Sequence, residues 1–169
     1  MPERTAIYPG SFDPPTCGHL DLIERALRIF DRVVVAVARN REKQALFTVD
    51  ERLEMLRSIT ADHRGVEVDA FTGLTADYAR QRGAVALVRG LRVMSDFELE
   101  LTMAITNQKL LPGLDTVCLM PSEQYLLLSS RIVREIAQFG GAVSGFVPPI
   151  VAERLQAKLR PTAEPKDGA

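Results

Sequence analysis

The sequence predicts an α/β protein with a single domain, a doubly wound sheet of five parallel strands. Short apolar segments alternate five times with segments whose apolar residues recur every three or four positions, the pattern of an amphipathic helix. The second apolar segment, residues 33–38, is apolar throughout, as in a strand buried on both faces of a parallel sheet. Short connections between these segments favour right-handed crossovers within one sheet.

The first strand is predicted at residues 6–8. It is expected to stop at Pro9-Gly10, because proline lacks a backbone donor and glycine permits a tight turn. An apolar-periodic helix then follows from Gly18 to about Phe30. After the second strand, Thr48-x-x-Glu51 is typical of a capping box and predicts the start of the second helix.

The second half of the chain repeats this alternation. Gly83 is expected to end the third helix as a glycine just past its last turn, and Ser95-x-x-Glu98 predicts a capping box for the fourth. Strands are predicted at 66–71, 85–88 and 117–120, and helices at 75–83, 95–111, 131–139 and 149–159. Residues 1–160 are therefore assigned to one Rossmann-like domain, and the polar residues 161–169 to a disordered tail.

Composition narrows the class of protein. The 169 residues are 46% hydrophobic and 25% charged, with a net charge of −1, so no basic field favours a nucleic-acid partner. Two cysteines far apart and two histidines match no zinc-ligand spacing. No apolar run approaches the roughly 18 residues of a membrane span, and no secretory leader is recognisable. These features predict a cytoplasmic enzyme with neither a membrane nor a nucleic-acid partner.

The loop between the first strand and the first helix has the arrangement of a phosphate-binding site. It contains glycine and leads into a helix N-terminus, where free N–H groups and the positive dipole end favour an anion. His19 lies on the first turn of that helix. The chain contains neither Gly-x-x-x-x-Gly-Lys-Ser/Thr nor Gly-x-Gly-x-x-Gly, so it has neither the P-loop nor the dinucleotide fingerprint. A lone histidine would more often cap or pack the helix start; its context favours a functional role.

Further polar residues follow each predicted strand, and the carboxyl ends of parallel strands meet at one edge of a sheet. Arg89-Gly90-Leu91-Arg92 offers forked donors for phosphate oxygens, although two arginines in a solvated turn would give the same pattern. Lys43 alone could equally belong to a solvated loop. The serines after the fifth strand can cap a helix and also donate to a phosphate. The candidates are Ser11 and His19, then Lys43, Thr75, Arg89 and Arg92, and Ser129 and Ser130.

These residue types suit transfer between phosphates. No Ser-His-Asp arrangement and no metal-ligand cluster stands out in the sequence. An acceptor phosphate is already ionised at neutral pH and needs no general base. The role of the enzyme is then to align two anions and to stabilise the charge that develops on the transferred group.

The sequence resembles known proteins at two levels, a superfamily signature and a single family. Thr16-Cys17-Gly18-His19 resembles the H/T-x-G-H signature of nucleotidyltransferases related to class I aminoacyl-tRNA synthetases. Residues 6–19 resemble the opening of the bacterial phosphopantetheine adenylyltransferase family, and further motifs match it in colinear order from about residue 5 to 159. Those motifs are Val88 to Arg92, Asp96 to Glu100, Met120 to Ser122, Ser129-Ser130 and Arg134-Glu135.

This resemblance implies adenylyl transfer from ATP to 4′-phosphopantetheine, giving dephospho-coenzyme A and pyrophosphate, with Mg²⁺ as cofactor and a homohexameric assembly. It implies His19, Lys43 and Arg92 as catalytic residues, and Ser11, Lys43, Thr75 and Arg89 as acceptor-binding residues. The metal would be held mainly by the ATP phosphates. The implied ATP-binding residues are Ser11, Phe12, His19, Gly90, Leu91, Arg92, Glu100, Tyr125, Leu126, Leu127, Leu128, Ser129, Ser130 and Arg131.

Three positions depart from the family pattern. Leu99 stands where a tyrosine is common, Gln44 where a second lysine is frequent, and Arg131 where a third Ser or Thr usually follows. The alternatives are a related transferase that joins CTP to glycerol 3-phosphate or ATP to nicotinamide mononucleotide, and a nucleotide-binding protein that has lost catalysis. The Arg89 to Arg92 and Asp96 to Glu100 motifs argue against the first group, and the candidate transition-state group His19 argues against the second.

Overall fold

A computed structural model describes residues 3–39 and 44–159 of the chain. Lys43 and the predicted tail at 161–169 lie outside the described residues. The strands are β1 (Thr5–Gly10), β2 (Arg32–Ala38), β3 (Val66–Phe71), β4 (Ala86–Gly90) and β5 (Asp115–Leu119). The helices are α1 (Cys17–Ala26), α2 (Val49–Ile59), α3 (Thr75–Gln81), α4 (Met94–Leu110), α5 (Ser130–Gln138) and α6 (Pro149–Leu159).

The five strands form one parallel sheet in the order β3-β2-β1-β4-β5, which confirms the predicted fold class. The chain first builds outward from β1 to β3, then returns to place β4 on the other side of β1. The strand order therefore reverses between β1 and β4, the point at which open α/β sheets bind their ligands. Within the described segments, no helix is long and apolar enough to cross a membrane.

Both faces of the sheet are buried, because alternate residues of the central strands point to opposite sides. Val33, Val35 and Val37 face one core cluster, which also contains side chains of α1 and α2. Val34 and Ala36 face a second cluster that includes residues of α3. A third cluster joins α2 to α5 and α6 beside the sheet; its buried members are Phe47, Met55, Leu128, Val133, Val143, Val147, Val151 and Leu155.

Three local predictions were wrong. The first helix, α1, ends at Ala26 and not near Phe30. The first strand does not stop at Pro9-Gly10 but runs through both residues, paired with Ala36 and Val37 of β2. The pairing of β1 with β4 covers Ala6 and Ile7, so Pro9 lies beyond that ladder, where its missing N–H disrupts no pairing with β4.

The predicted capping box at Ser95-x-x-Glu98 is also wrong. Helix α4 starts one residue earlier, with Val93 at the N-cap position and no side-chain cap bond. By contrast, the capping box of Thr48 and Glu51 is confirmed. Gly83 follows the C-cap of α3 with φ +61°, the left-handed conformation that glycine adopts without a side-chain clash.

Candidate active site

A cleft of about 330 Å³ opens at the carboxyl ends of β1 and β4, where the strand order reverses. Its walls come from β1 and the loop after it, the start of α1, β4, α4 and the segment that leads into α5. The structure therefore brings most of the predicted site residues together. Those that line the cleft are Ser11, Phe12, His19, Arg89, Gly90, Arg92, Glu100, Tyr125, Leu128, Ser129 and Ser130.

His19 closes a reciprocal cap at the start of α1. The hydroxyl of Thr16, the N-cap residue, accepts a hydrogen bond from the backbone N–H of His19 at 3.3 Å. In return, the backbone N–H of Thr16 donates to Nδ1 of His19 at 3.0 Å. Because Nδ1 accepts this bond, the neutral ring carries its proton on Nε2. His19 therefore caps the helix and keeps one N–H donor for a ligand.

The surroundings of His19 keep its ring uncharged. Its ring centroid lies 4.9 Å from that of Phe12 and 6.3 Å from that of Tyr8. Phe12 itself has φ 49°, a strained value for a bulky residue, and its buried ring packs edge-on against Tyr8. Burial, and secondarily the positive charge of Arg92, lower the pKa of His19 from 6.5 to about 4. At neutral pH the side chain is a hydrogen-bond donor without charge.

This environment predicts the titration of His19. By NMR we expect its ring protons to titrate with a midpoint near pH 4. Because the folded-state pKa lies below the unfolded value, His19 favours the folded state fully above pH 6.5 and loses that contribution as pH falls toward 4. The chain has two histidines, so the variant His63→Gln assigns the signals. A His19 midpoint near 6.5 would contradict a half-buried ring that stays neutral.

The N-terminus of α5 meets the cleft from the opposite side. Ser129 is its N-cap, and its hydroxyl accepts the backbone N–H of Ile132 at 3.2 Å. Ser130 is the first helical residue, and its hydroxyl donates to the carbonyl of Pro14 at 2.7 Å. Two helix N-termini, of α1 and α5, thus open on the same cleft, and both favour an anion there.

Both arginines near the carboxyl end of β4, Arg89 within the strand and Arg92 just after it, are already engaged with carboxylates. Arg89 binds Glu100 through two hydrogen bonds of 2.7 Å, and its Nη1 donates to the carbonyl of Pro9 at 3.1 Å. Arg92 forms an ion pair with Asp96 at 3.3 Å and donates to the carbonyl of Leu128 at 3.2 Å. A phosphate in the cleft would therefore meet guanidinium groups held in place by acids.

Thr75 lies apart from the cleft, in a second, smaller cavity of about 60 Å³. Leu87 and residues of α4 line this cavity as well. It shares Pro9, Arg89 and Glu100 with the larger cleft, so the Arg89–Glu100 pair stands between the two. Thr75, predicted to bind the acceptor, is thus separated from the predicted ATP-binding residues by the Arg89–Glu100 ion pair.

Four of the predicted ATP-binding residues fall outside the cleft lining. The side chain of Leu127 is 78% exposed to solvent, and the backbone N–H of Leu91 donates to Leu119 in β5. Arg131 lines a separate surface cavity beside Gln44 and Arg134. The four residues are Leu91, Leu126, Leu127 and Arg131, and their predicted roles stay predictions.

Sequence reasoning assigned no structural role to Asp13, which braces the first loop. The carboxylate is 2% exposed and accepts the backbone N–H groups of Leu46 and Phe47 at 2.8 and 2.9 Å. It also forms a 2.7 Å ion pair with Arg134 of α5. Asp13 thereby joins three segments around the cleft. The sequence signal was its place between Phe12 and a proline, but its partners lie 33 to 121 residues away.

Asp21 braces the segment after β5 in a similar way. It accepts both the N–H and the hydroxyl of Ser122, at 2.8 and 2.6 Å, and pairs with Arg25 at 3.2 Å. Burial raises the pKa of Asp21, but the hydrogen bonds from Ser122 and Arg25 outweigh that effect and hold the pKa below its ordinary value. This pairing fixes Pro121 and Tyr125, both in the cleft wall, relative to α1.

Glycine at position 90 serves packing as well as access. A Cβ atom placed there would lie 2.6 Å from Cδ1 of Leu22 in α1. Any larger residue would therefore displace that side chain. Leu22 and Gly90 both line the cleft, so the absence of a side chain at Gly90 leaves the cleft open at this point.

Known proteins resemble this chain in sequence. A sequence model of the cytidylyltransferase-like family matches residues 7–136. The chain is 53% identical to the phosphopantetheine adenylyltransferase of Thiobacillus denitrificans, over 92% of this chain and 98% of that protein. It is 56% identical to the protein of the same name from Synechococcus elongatus, over 94% and 96% of the two chains.

Structural comparison extends the likeness in fold. A solved Vibrio parahaemolyticus structure, described as a nicotinate-nucleotide adenylyltransferase, superposes with a TM-score of 0.71 over 95% of this chain and 98% of that one. At 17% identity, that likeness shows the fold alone. With a family model across most of its length and relatives above half identity along nearly all of it, the chain belongs to the phosphopantetheine adenylyltransferase family of nucleotidyltransferases.

Proposed function

We propose that this protein transfers the adenylyl group of ATP to 4′-phosphopantetheine, forming dephospho-coenzyme A and pyrophosphate. The observation that carries the proposal is the pair of cavities that meet at Arg89. The larger one has two helix N-termini and a neutral histidine donor, which suit the phosphates of a nucleoside triphosphate. The smaller one extends along α4 and suits the start of an uncharged acceptor arm. The family relationship supports the same assignment.

In the proposed reaction an oxygen of the acceptor phosphate attacks the α-phosphorus of ATP in line. The bond from that phosphorus to the oxygen bridging the α- and β-phosphates breaks, and pyrophosphate leaves with the electron pair. His19 would donate Nε2–H to an oxygen of the reacting phosphoryl group, where negative charge builds up. Arg89 would hold the acceptor phosphate, while Arg92, Ser129 and the N-terminus of α5 would hold the leaving phosphates.

We expect Mg²⁺ to arrive with ATP and to be held mainly by its phosphates. The donor set fits this view: the acid in the cleft lining, Glu100, has both oxygens on Arg89. Across residues 3–39 and 44–159, no group of three or more His, Cys, Asp or Glu residues could hold a metal ion. Bound in this way, Mg²⁺ would neutralise part of the negative charge of the phosphates.

The cytoplasmic location of the protein stays a prediction.

The decisive experiment measures pyrophosphate release by the purified protein with ATP, Mg²⁺ and 4′-phosphopantetheine. We expect release with this pair, with dephospho-coenzyme A as the other product, and none with CTP and glycerol 3-phosphate or with ATP and nicotinamide mononucleotide. Preference for either control pair would overturn the proposed acceptor.

The chemical course has its own test. ATP made chiral at the α-phosphorus should give a product with inverted configuration, because a single in-line displacement inverts the centre. Retention would indicate two displacements and a covalent intermediate, contrary to the proposal.

We also propose that the protein assembles with copies of itself through α4, and that the assembly is a homohexamer as the resemblance implies. Helix α4 carries large apolar side chains that are roughly half exposed, an unusual concentration for a surface helix. Met103 of this helix also lines the smaller cavity, so a neighbouring copy on α4 would lie close to the proposed acceptor site. The exposed set on α4 is Phe97, Leu99, Leu101, Met103, Ile105 and Leu110.

We expect Ile105→Glu to reduce the assembly mass in sedimentation equilibrium, since it places a charge in the apolar stripe that Ile105 forms with Phe97 and Leu101 at four-residue spacing. The matched control is Ala157→Glu, which puts the same charge on an exposed alanine of α6 and should leave the mass unchanged. A wild-type protein that sediments as a monomer would contradict the assembly proposal without touching the proposed reaction.

A further inference from the structure

The Arg89–Glu100 pair forms the partition between the two cavities. Both side chains line the larger cleft and the smaller cavity, and Pro9 lines both as well. The phosphate of an acceptor in the smaller cavity would therefore meet a nucleotide in the larger cleft next to this pair. The orientation of the Arg89 guanidinium decides which of its N–H groups such a phosphate meets.

Three hydrogen bonds fix that orientation. Nε and Nη2 of Arg89 each donate to a different oxygen of Glu100 at 2.7 Å, and Nη1 donates to the Pro9 carbonyl at 3.1 Å. These bonds use three of the five N–H groups of a guanidinium and set the plane of the group. The two remaining N–H groups then point in directions determined by the protein.

Burial distinguishes the two partners. The Glu100 side chain is 8% exposed, whereas that of Arg89 is 33% exposed. The arginine is thus the member of the pair that stays accessible to a ligand. Burial lowers the pKa of Arg89, but its bonds with Glu100 raise it by more, so Arg89 keeps its positive charge at working pH.

Resting on the proposed function, we propose that Glu100 is a positioning residue: it holds the Arg89 guanidinium at the junction of the two cavities so that its free N–H groups receive the acceptor phosphate. In this role Glu100 acts through Arg89. Both carboxylate oxygens are already bound to the guanidinium, which is the arrangement expected of a buried brace.

The test is a double-variant cycle read as dissociation constants for 4′-phosphopantetheine and for ATP, measured separately by calorimetry. We expect Glu100→Gln to weaken binding of phosphopantetheine about tenfold, as for residues in one hydrogen-bond network, and to leave ATP binding within about twofold. In an Arg89→Ala background, Glu100→Gln should add no further loss. The control Glu98→Gln makes the same charge change at an exposed position of α4 and should alter neither constant.

Several results would overturn the inference. One is an equal loss in both backgrounds, and another is weaker binding of ATP instead of phosphopantetheine. A third is tighter phosphopantetheine binding by Glu100→Gln, which would show that the carboxylate opposes the acceptor. Folding of each variant is checked by circular dichroism. If Glu100→Gln does not fold, the cycle uses Glu100→Asp, which keeps the charge, shortens the side chain and should cause a smaller loss of the same kind.

Wild-type behaviour separates this inference from the proposed function. A wild-type protein that neither binds phosphopantetheine nor releases pyrophosphate with it would overturn both. Normal wild-type turnover combined with unchanged phosphopantetheine binding in Glu100→Gln would overturn the positioning role alone.

Discussion

Replacing His19 by alanine should lower kcat by about 10²- to 10³-fold, the loss typical of removing one donor that stabilises transition-state charge. KM for either substrate should change little, because the donor acts most strongly where charge develops during the reaction. The measurement is steady-state pyrophosphate release with each substrate varied in turn. A variant with unchanged kcat would remove His19 from the chemistry.

The structure explains why a neutral histidine suits this role. Nδ1 is bound to the Thr16 backbone N–H at 3.0 Å, which fixes both the ring and the position of its remaining proton. With a pKa of about 4, the ring stays essentially neutral between pH 6 and 8. The Nε2–H group can therefore donate to a phosphate oxygen at any pH in that range, and His19 itself should introduce no inflection there.

The capping role of His19 must be separated from the proposed catalytic one. His19→Ala also removes the acceptor of the Thr16 N–H, which should destabilise the fold by about 1 kcal/mol. His19→Gln provides the matched control, because glutamine at this helix position can accept the same bond in a capping box. We expect His19→Gln to recover the melting temperature but not kcat. Recovery of kcat as well would show that the reaction does not require the imidazole ring, since the glutamine amide also carries N–H donors.

The sequence predicted the fold well because the relevant signals are local. Apolar runs such as residues 33–38 and the capping box at Thr48 depend on near neighbours, and the structure confirms both. The convergence of loops at one sheet edge followed from the predicted parallel direction of the strands. The capping box at Ser95 failed even though its signal was local, because the helix continues one residue further toward Val93 without any side-chain cap.

The pairings inside the site could not be predicted in the same way. Glu100 was assigned to ATP by resemblance, and nothing in its sequence position shows that it faces Arg89, because the turn and helix that join them set that contact. Arg131 follows Ser130 directly, yet it lines another cavity, because consecutive helix residues point about 100° apart. Long-range contacts such as Asp13 with Arg134 depend on the whole sheet being assembled.

That last contact gives the largest expected effect on stability. Asp13→Ala should lower the free energy of unfolding by about 3 kcal/mol, as for other buried ion pairs that lose one partner. It would leave the N–H groups of Leu46 and Phe47 without their acceptor and Arg134 without its counterion. In thermal unfolding this corresponds to a decrease in Tm of about 10 °C for a domain of this size.

Two further variants identify the source of that loss. Asp77→Ala removes an exposed carboxylate that pairs with Arg80, and should cost no more than about 1 kcal/mol. The double variant Asp13→Ala with Arg134→Ala should be less destabilised than the sum of its single changes, since no counterion is then left unpaired. If Asp13→Ala instead matched the Asp77 control, the carboxylate would not be bracing the first loop. Because Asp13 ties that loop to the residues before α2 and to α5, loss of the brace should also loosen the cleft that these segments enclose.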